Sequence, residues 1–172
     1  RGDGRARIDL HVAAARLAAG QASARDSDLR LTFDGQTTGW IEAFRIEGTS
    51  AVDLRAARID GPAASAAAAR LRLTDARTRV TRDSGGLGWR LDGAAAVSAA
   101  RASGAGLDGV DVTLTSSQLT LGGRGAAMEA GGSVGLSAAR LARDELTLTG
   151  VRGTTEFDLV SDGGLRVTAA GA

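Results

Sequence analysis

The chain of 172 residues contains no cysteine, which excludes disulfide bonds and thiolate metal sites. It has one proline and one histidine, and it lacks lysine, asparagine and tyrosine altogether. No apolar run approaches the roughly 20 residues that a helix needs to span a bilayer. The N-terminus has no signal-peptide pattern. We therefore expect residues 1–172 to be one internal segment of a longer protein whose targeting and anchoring segments lie elsewhere.

Aromatic residues are also scarce, at 3% of the chain, although hydrophobic residues make up 43%. The apolar volume is therefore mostly Ala, Leu and Val. The 25 glycines lack the three-residue period of collagen and indicate tight turns or close backbone approaches. The 21 basic residues are balanced by 20 acidic ones, and the densest run of arginines, between Arg70 and Arg82, contains no aromatic residue. Nucleic-acid binding usually needs clustered positive charge beside stacking aromatics, so we expect none.

Alternation of apolar and polar residues is the dominant pattern. In residues 7–12, for example, Ile, Leu and Val alternate with Arg, Asp and His. Because successive side chains of a strand point to opposite faces, each such segment predicts a strand with one apolar and one polar face. Turn signals such as Asp34-Gly35, Glu47-Gly48 and Asp92-Gly93 recur between the segments. The sequence predicts an all-β fold, a long meander of short, mostly antiparallel strands of about 5 to 9 residues with little helix.

Two hairpins and two ambiguous segments follow from the same pattern. Leu87–Val97 predicts a hairpin that turns at Asp92-Gly93, and Phe157–Val167 predicts one that turns at residues 161–164. The Ala-rich residues 11–24 and 63–69 are compatible with strand or helix, and the neighbouring alternation favours strand. No linker or composition change divides the chain, so we expect a single repetitive segment.

No set of residues in the sequence supports an enzyme mechanism. Gly131–Gly135 matches the G-x-S-x-G pattern around a nucleophilic serine, but the only histidine, His11, precedes Ser133, whereas the pattern requires it downstream. The acidic pairs Asp26/Asp28 and Asp144/Glu145 lie beside arginines and turn residues, where nothing local would desolvate a carboxyl group for acid–base catalysis. One histidine without cysteine makes a zinc site implausible. We expect no catalysis, no metal and no cofactor.

A meander of amphipathic strands must cover its apolar face or leave it open. It can pack as a sandwich, close as a barrel, or curl into a trough with an apolar floor. Small residues such as Ala95 and Ala126, together with the scarcity of aromatics, predict a smooth apolar face suited to long, flexible apolar ligands. Trp89 shares a face with Leu87 and Leu91, for which core packing is favoured over a ligand contact.

Three segments built from leucine–polar–leucine–polar–glycine units, Leu107–Leu114, Ser117–Gly123 and Leu141–Val151, resemble the AsmA-like family of Gram-negative bacteria, in particular its TamB and YdbH branches. The resemblance extends over most of the chain, as a recurring pattern of short units and not as a specific motif. It implies a curled sheet that forms part of a long periplasmic groove, in a protein anchored in the inner membrane, whose apolar interior conducts phospholipid to the outer membrane. The partners that it implies are phospholipid acyl chains, flanking segments of the same chain and outer-membrane proteins.

The apolar side chains of the alternating segments are the expected lining of such a groove. They are Ile8, Leu10, Leu29, Leu31, Phe33, Leu71, Leu73, Leu87, Trp89, Leu91, Val110, Val112, Leu114, Leu119, Leu121, Leu146, Leu148, Phe157, Leu159, Leu165 and Val167. Two alternatives without a transport role stay open. One is a structural or adhesive β-helix, against which the absence of asparagine counts. The other is a carbohydrate-binding β-sandwich, which normally presents more aromatic residues.

Overall fold

A computed structural model of the chain describes residues 2–161 and the backbone of residues 165–171. The described residues form strands and turns and no helix, so the all-β prediction is confirmed. Nine strands pair in chain order, each antiparallel to the next, in a single sheet. They are β1 (Asp3–Ala19), β2 (Ala22–Trp40), β3 (Ala43–Asp60), β4 (Ala64–Asp83), β5 (Gly86–Gly104), β6 (Leu107–Arg124), β7 (Ala127–Arg143), β8 (Leu146–Ser161) and β9 (Leu165–Gly171).

The strands are much longer than the sequence predicts. From β1 to β8 they have between 16 and 20 residues, so the prediction of short strands is wrong. The error arises because several Asp-Gly and Glu-Gly pairs lie inside strands. Gly35 and Gly48 are directly paired across β2 and β3, and the ring of Phe33 lies against both. A Cβ on Gly35 would lie 2.6 Å from Phe33 Cζ, so this glycine allows a close approach and makes no turn.

One of the two predicted hairpins is wrong. Residues 87–97 all lie within β5, and Asp92-Gly93 continues the strand. The second hairpin is confirmed by the pairing of Ser161 with Leu165 between β8 and β9, while its turn residues 162–164 lie outside the described residues. The Ala-rich segments 11–24 and 63–69 belong to strands, apart from the β1–β2 turn and the residue before β4. The strand interpretation is therefore confirmed for both.

The pairing register sorts the side chains onto two faces, because directly paired residues point to the same side of the sheet. On the side that we call face A, an apolar row crosses seven strands through consecutive pairs: Val12, Leu29, Leu54, Leu71, Val97, Leu114 and Leu136. The opposite side, face B, holds the ion pairs, among them Arg7–Asp34, Arg70–Asp53 and Arg79–Glu47. The two faces are thus apolar and charged respectively, as the alternation predicts.

Two lines of irregular backbone run across the strands. The first, which we call the first bend, consists of four residues with positive φ at matching positions of alternate strands: Asp26 (49°), Ala68 (50°), Asp111 (50°) and Gly150 (62°). The second bend is a series of register shifts in the four ladders from β3–β4 to β6–β7, with Asp75 at φ 50°. Bulges and left-handed residues bend strands, so the sheet changes direction at both lines.

The inner corner of the first bend is lined by small, buried residues on face A. Ser27, Ala56, Ala69, Ala99 and Ala138 are each at most 8% exposed and lie in the row beside the bend. Across the bend, a Cβ on Gly109 would lie 2.5 Å from Val112 Cγ2. This contact between positions i and i+3 is possible only if the strand folds toward face A. The sheet therefore curls with its apolar face on the inside.

A single layer leaves much of this apolar face open. The accessible surface is 11522 Å², against roughly 7,800 Å² for a compact monomer of this mass. In the middle of face A, Leu71, Val97 and Leu114 remain 38%, 38% and 39% exposed. Among the described residues β1 pairs with β2 alone and β9 with β8 alone, so the sheet is not closed. The nine described strands form neither the parallel coils of a β-helix nor the two packed sheets of a sandwich.

Candidate functional site

The candidate site is the part of face A between the two bends. Its rows of apolar side chains run perpendicular to the strands, parallel to the bends. The row from Val12 to Leu136 crosses β1 to β7, a span of roughly 29 Å at about 4.8 Å between strands. The next row contains Leu10, Leu31, Val52 and Leu73. The geometry is that of an open trough with a floor of aliphatic side chains.

Charge is absent from this floor. Every acidic residue within the described strands lies on face B or in the bends, and several of those on face B, such as Asp34, Glu47 and Asp53, form ion pairs with arginines. The few polar side chains on the floor are hydroxyls, such as those of Ser50 and Ser116, which are 8% exposed. An apolar ligand on the floor would therefore displace water from hydrocarbon without desolvating a charged group.

The structure brings nearly all of the predicted lining residues together on face A. Those whose side chains are described and lie on it are Ile8, Leu10, Leu29, Leu31, Phe33, Leu71, Leu73, Leu87, Trp89, Leu91, Val112, Leu114, Leu119, Leu121, Leu146, Leu148, Phe157 and Leu159. Leu165 and Val167 belong to β9 by their backbone pairing, and their side chains lie outside the described part of the chain.

Val110 is the exception. It is paired with Arg101 and Arg140. A Cβ on its neighbour Gly109 would point toward Val112 on face A, so Val110 itself lies on face B. The positive φ of Asp111 interrupts the alternation between Val110 and Val112. The prediction that Val110 lines the groove is therefore wrong. The left-handed Asp111 places two consecutive side chains, its own and that of Val110, on the outer side of the bend.

Several floor residues were missed by the sequence interpretation. Val52 and Leu54 flank Asp53 with the same period of two, and Val97 and Leu136 continue the central row. Their signal is weaker because Ala and Gly surround Val97 and Leu136 in the sequence. The pairing register, which the sequence does not reveal, assigns them to the floor.

The indole of Trp89 is packed on one side and accessible on the other. It is half-buried on face A, and a Cβ on Gly123 of the neighbouring strand would lie 2.7 Å from its Nε1. The indole therefore packs over a glycine, as the packing interpretation requires, while one side of it stays accessible. Trp40 and Ile41, at the β2–β3 turn, are 68% and 81% exposed.

Ion pairs cover face B. Hydrogen bonds from Arg70 lower the pKa of Asp53, and those from Arg45 and Arg79 lower the pKa of Glu47. A hydrogen bond to His11 at 2.8 Å likewise lowers the pKa of Asp28. A 670 Å³ depression on this face is lined by Asp34, Glu47 and several arginines whose charges are already paired. These charges keep face B solvated.

The residues considered for catalysis are not assembled into a site. His11 on β1 and Ser133 on β7 lie six strands apart, which is roughly 29 Å. Asp28 contacts His11, whereas Asp26 lies at the first bend. In the described ranges, no three His, Cys, Asp or Glu side chains are grouped as they would be to hold a metal ion. No helix among the described residues has the length and apolar character to cross a membrane.

The chain was compared with protein-family models, with curated protein sequences and with solved structures, and nothing matches it in any of the three.

Proposed function

We propose that this chain is a segment of a periplasmic groove that conducts phospholipid between the inner and outer membranes. The observation that carries the proposal is the open, charge-free, aliphatic floor of face A, which crosses the seven strands β1 to β7 alongside the first bend and lies between two bends from β3 to β7. A soluble monomer rarely exposes so large an apolar face unless it binds something there. No catalytic step and no cofactor is needed for this role.

The floor suits an acyl chain that moves along it. Each methylene removed from water contributes about 0.8 kcal/mol, so a chain lying along a row is held firmly. One leaflet of a bilayer core is about 15 Å thick, or roughly three strand spacings. The central row is about twice as long, and its aliphatic positions are similar from strand to strand. When the acyl chain moves along the row by one strand, it exchanges one set of aliphatic contacts for a similar set, so it can slide.

The remaining parts of the proposal come from the resemblance to AsmA-like proteins. In this view the parent protein is anchored in the inner membrane, and flanking segments of the same chain continue the sheet. The backbone groups on the outer side of β1, which have no pairing strand among the described residues, are suited to such a continuation. Outer-membrane proteins would receive the lipid.

Photo-crosslinking from neighbouring positions tests the proposal. A benzophenone amino acid at Leu31 or Leu114, on face A, is expected to capture phospholipid when the purified chain is illuminated with phosphatidylglycerol vesicles. At Thr32 or Thr115, one residue along each strand and on face B, it is expected to capture little. Equal capture from both faces, or capture from neither, would count against the groove.

A charge placed on the floor provides a second test. Leu114→Arg is expected to reduce lipid capture by a probe at Leu31, because a charge among aliphatic side chains costs several kcal/mol unless it is paired. Thr115→Arg adds the same charge on face B and is expected to leave capture unchanged. A similar loss in both variants would point to net charge, and not the floor, as the cause.

A further inference from the structure

Two arginines break the apolar character of face A, and both lie in its outermost rows. Arg82 is near the end of β4, and Arg143 is the last residue of β7. They stand at opposite margins of the trough, Arg82 beyond the second bend and Arg143 beyond the first. Every other arginine within β1 to β8 lies on face B.

The two arginines have the same surroundings. Arg82 is paired with Phe44 on one side and Leu87 on the other. Arg143 is paired with Leu146, and the register places Leu107 on its other side. Leu87, Leu107 and Leu146 are 52%, 42% and 61% exposed. Each arginine therefore lies between two large apolar residues at a margin of the trough, and all of these except the half-buried Phe44 are exposed.

Neither guanidinium is neutralised by a carboxylate. Among the described residues Arg82 and Arg143 form no ion pair, although Asp83, Asp144 and Glu145 are close in sequence. Asp83 instead accepts hydrogen bonds from Arg124, at 2.8 and 3.2 Å. On face B, Arg7, Arg70, Arg79 and Arg124 bind carboxylates, whereas others, such as Arg16 and Arg140, form no ion pair among the described residues either. What sets Arg82 and Arg143 apart is that they stand on the apolar face. A cation left unpaired beside hydrocarbon is suited to the junction between the head and the chain of an anionic amphiphile.

We propose that Arg82 and Arg143 bind the phosphate of lipid headgroups at the two margins of the trough while the acyl chains lie on its floor. This inference rests on the proposed function and specifies its substrate class as phosphate-bearing lipids. The planar guanidinium donates two parallel hydrogen bonds to phosphate oxygens, which makes arginine a specific ligand for this group. The flanking apolar side chains contact the first methylenes of the chains.

The test compares two photoreactive lipids that differ only in the headgroup. Phosphatidylglycerol and diacylglycerol, each with a diazirine in the acyl chain, are incorporated into phosphatidylcholine vesicles and used to label the purified full chain. The double variant Arg82→Gln/Arg143→Gln is expected to lose labelling by phosphatidylglycerol by about tenfold and to keep labelling by diacylglycerol. Arg82→Lys/Arg143→Lys is expected to recover part of the loss, since lysine binds phosphate as a point charge.

The matched control is Arg16→Gln/Arg140→Gln, which removes two exposed arginines of face B and changes the net charge equally. It is expected to label like the unaltered chain. The inference is overturned if the Arg82/Arg143 variant labels normally with phosphatidylglycerol, if it loses both lipids alike, or if the control loses as much. Labelling of no variant by either lipid would overturn the proposed function itself, and with it this inference.

Discussion

Gly109 and Val112 face each other across the first bend of the sheet, so close that a Cβ on Gly109 would lie 2.5 Å from Val112 Cγ2. The left-handed Asp111 between them turns the strand, and both positions then point toward the inside of the trough. The absence of a side chain at residue 109 is what allows the two parts of β6 to approach.

The replacement of Gly109 by alanine is therefore expected to destabilise the fold. Its Cβ would also approach Leu141 Cδ2 to 3.2 Å, and overpacking of this kind costs about 1 to 3 kcal/mol. Urea denaturation monitored by tryptophan fluorescence measures the change. Gly153→Ala is the control, since a Cβ there would meet nothing within 4 Å, and it is expected to stabilise the chain slightly. If the contact is the cause, adding Val112→Ala restores much of the stability lost in Gly109→Ala.

A second prediction concerns the backbone of the first bend. Ala68 on β4 and Ala57 on β3 are exposed alanines that the register places opposite each other, but only Ala68 has a positive φ, at 50°. A β-branched residue fits this region poorly, so Ala68→Val is expected to cost about 1 to 2 kcal/mol. Ala57→Val places the same side chain in an ordinary strand and is expected to be near neutral. Equal urea midpoints for the two variants would contradict the assignment of the bend.

The faces of the sheet were predictable, whereas its bends were not. Alternation in the sequence is enough to separate Leu29, Leu31 and Phe33 from Arg30 and Thr32, because burial of one face imposes a period of two. At the bend, however, the same residue type stands at Ala57 and Ala68 with different backbone conformations. The conformation there depends on pairing across the sheet, which no local pattern encodes.

The strand lengths were mispredicted for a related reason. Glycine after Asp or Glu signals a turn, yet Gly35 and Gly48 are paired within long strands, where Phe33 occupies the space beside them. Glycine has two uses, a turn and a close approach, and the sequence alone does not distinguish them. Val110 was assigned to the wrong face for a different reason, since the left-handed Asp111 interrupts the alternation that the sequence shows.

A third prediction concerns two serines buried on face A. Ser27 is 3% exposed at the corner of the first bend, and its hydroxyl has no hydrogen-bond partner among the described residues. Ser50 is 8% exposed, and its hydroxyl contacts the carbonyl of Ala76 and the hydroxyl of Thr78. Because an unpaired buried hydroxyl is unfavourable, Ser27→Ala is expected to stabilise the chain by about 1 kcal/mol.

Ser50→Ala, which removes the same atom, is expected to destabilise it by about 1 kcal/mol, because a hydrogen bond is lost and the hydroxyl of Thr78 loses a partner. Thermal unfolding followed by circular dichroism distinguishes the two signs. A lower midpoint for Ser27→Ala would indicate that its hydroxyl is bonded in solution.

The last prediction concerns acid. Hydrogen bonds from Arg70 hold the pKa of Asp53 below its ordinary value in the folded chain. In the unfolded chain this carboxyl titrates near its ordinary pKa of about 3.9. A group with a lowered folded pKa stabilises the fold above the unfolded value, and this contribution is lost as the pH falls through the folded pKa. The pKa values of Asp34, Glu47, Asp83 and Asp92 are lowered in the same way, so the whole chain is expected to lose stability below about pH 4.

Asp53→Asn isolates one part of this effect. The variant is expected to be less stable than the parent chain at neutral pH and to lose less of its stability on acidification, since the ion pair with Arg70 is already gone. Asp9→Asn is the control, because Asp9 lies on face B of β1 without an ion pair among the described residues. Urea midpoints at about pH 7, 5 and 3 give the dependence on pH for all three proteins. If Asp53→Asn loses as much stability between pH 7 and pH 3 as Asp9→Asn does, the pairing of Asp53 with Arg70 contributes nothing to the acid sensitivity.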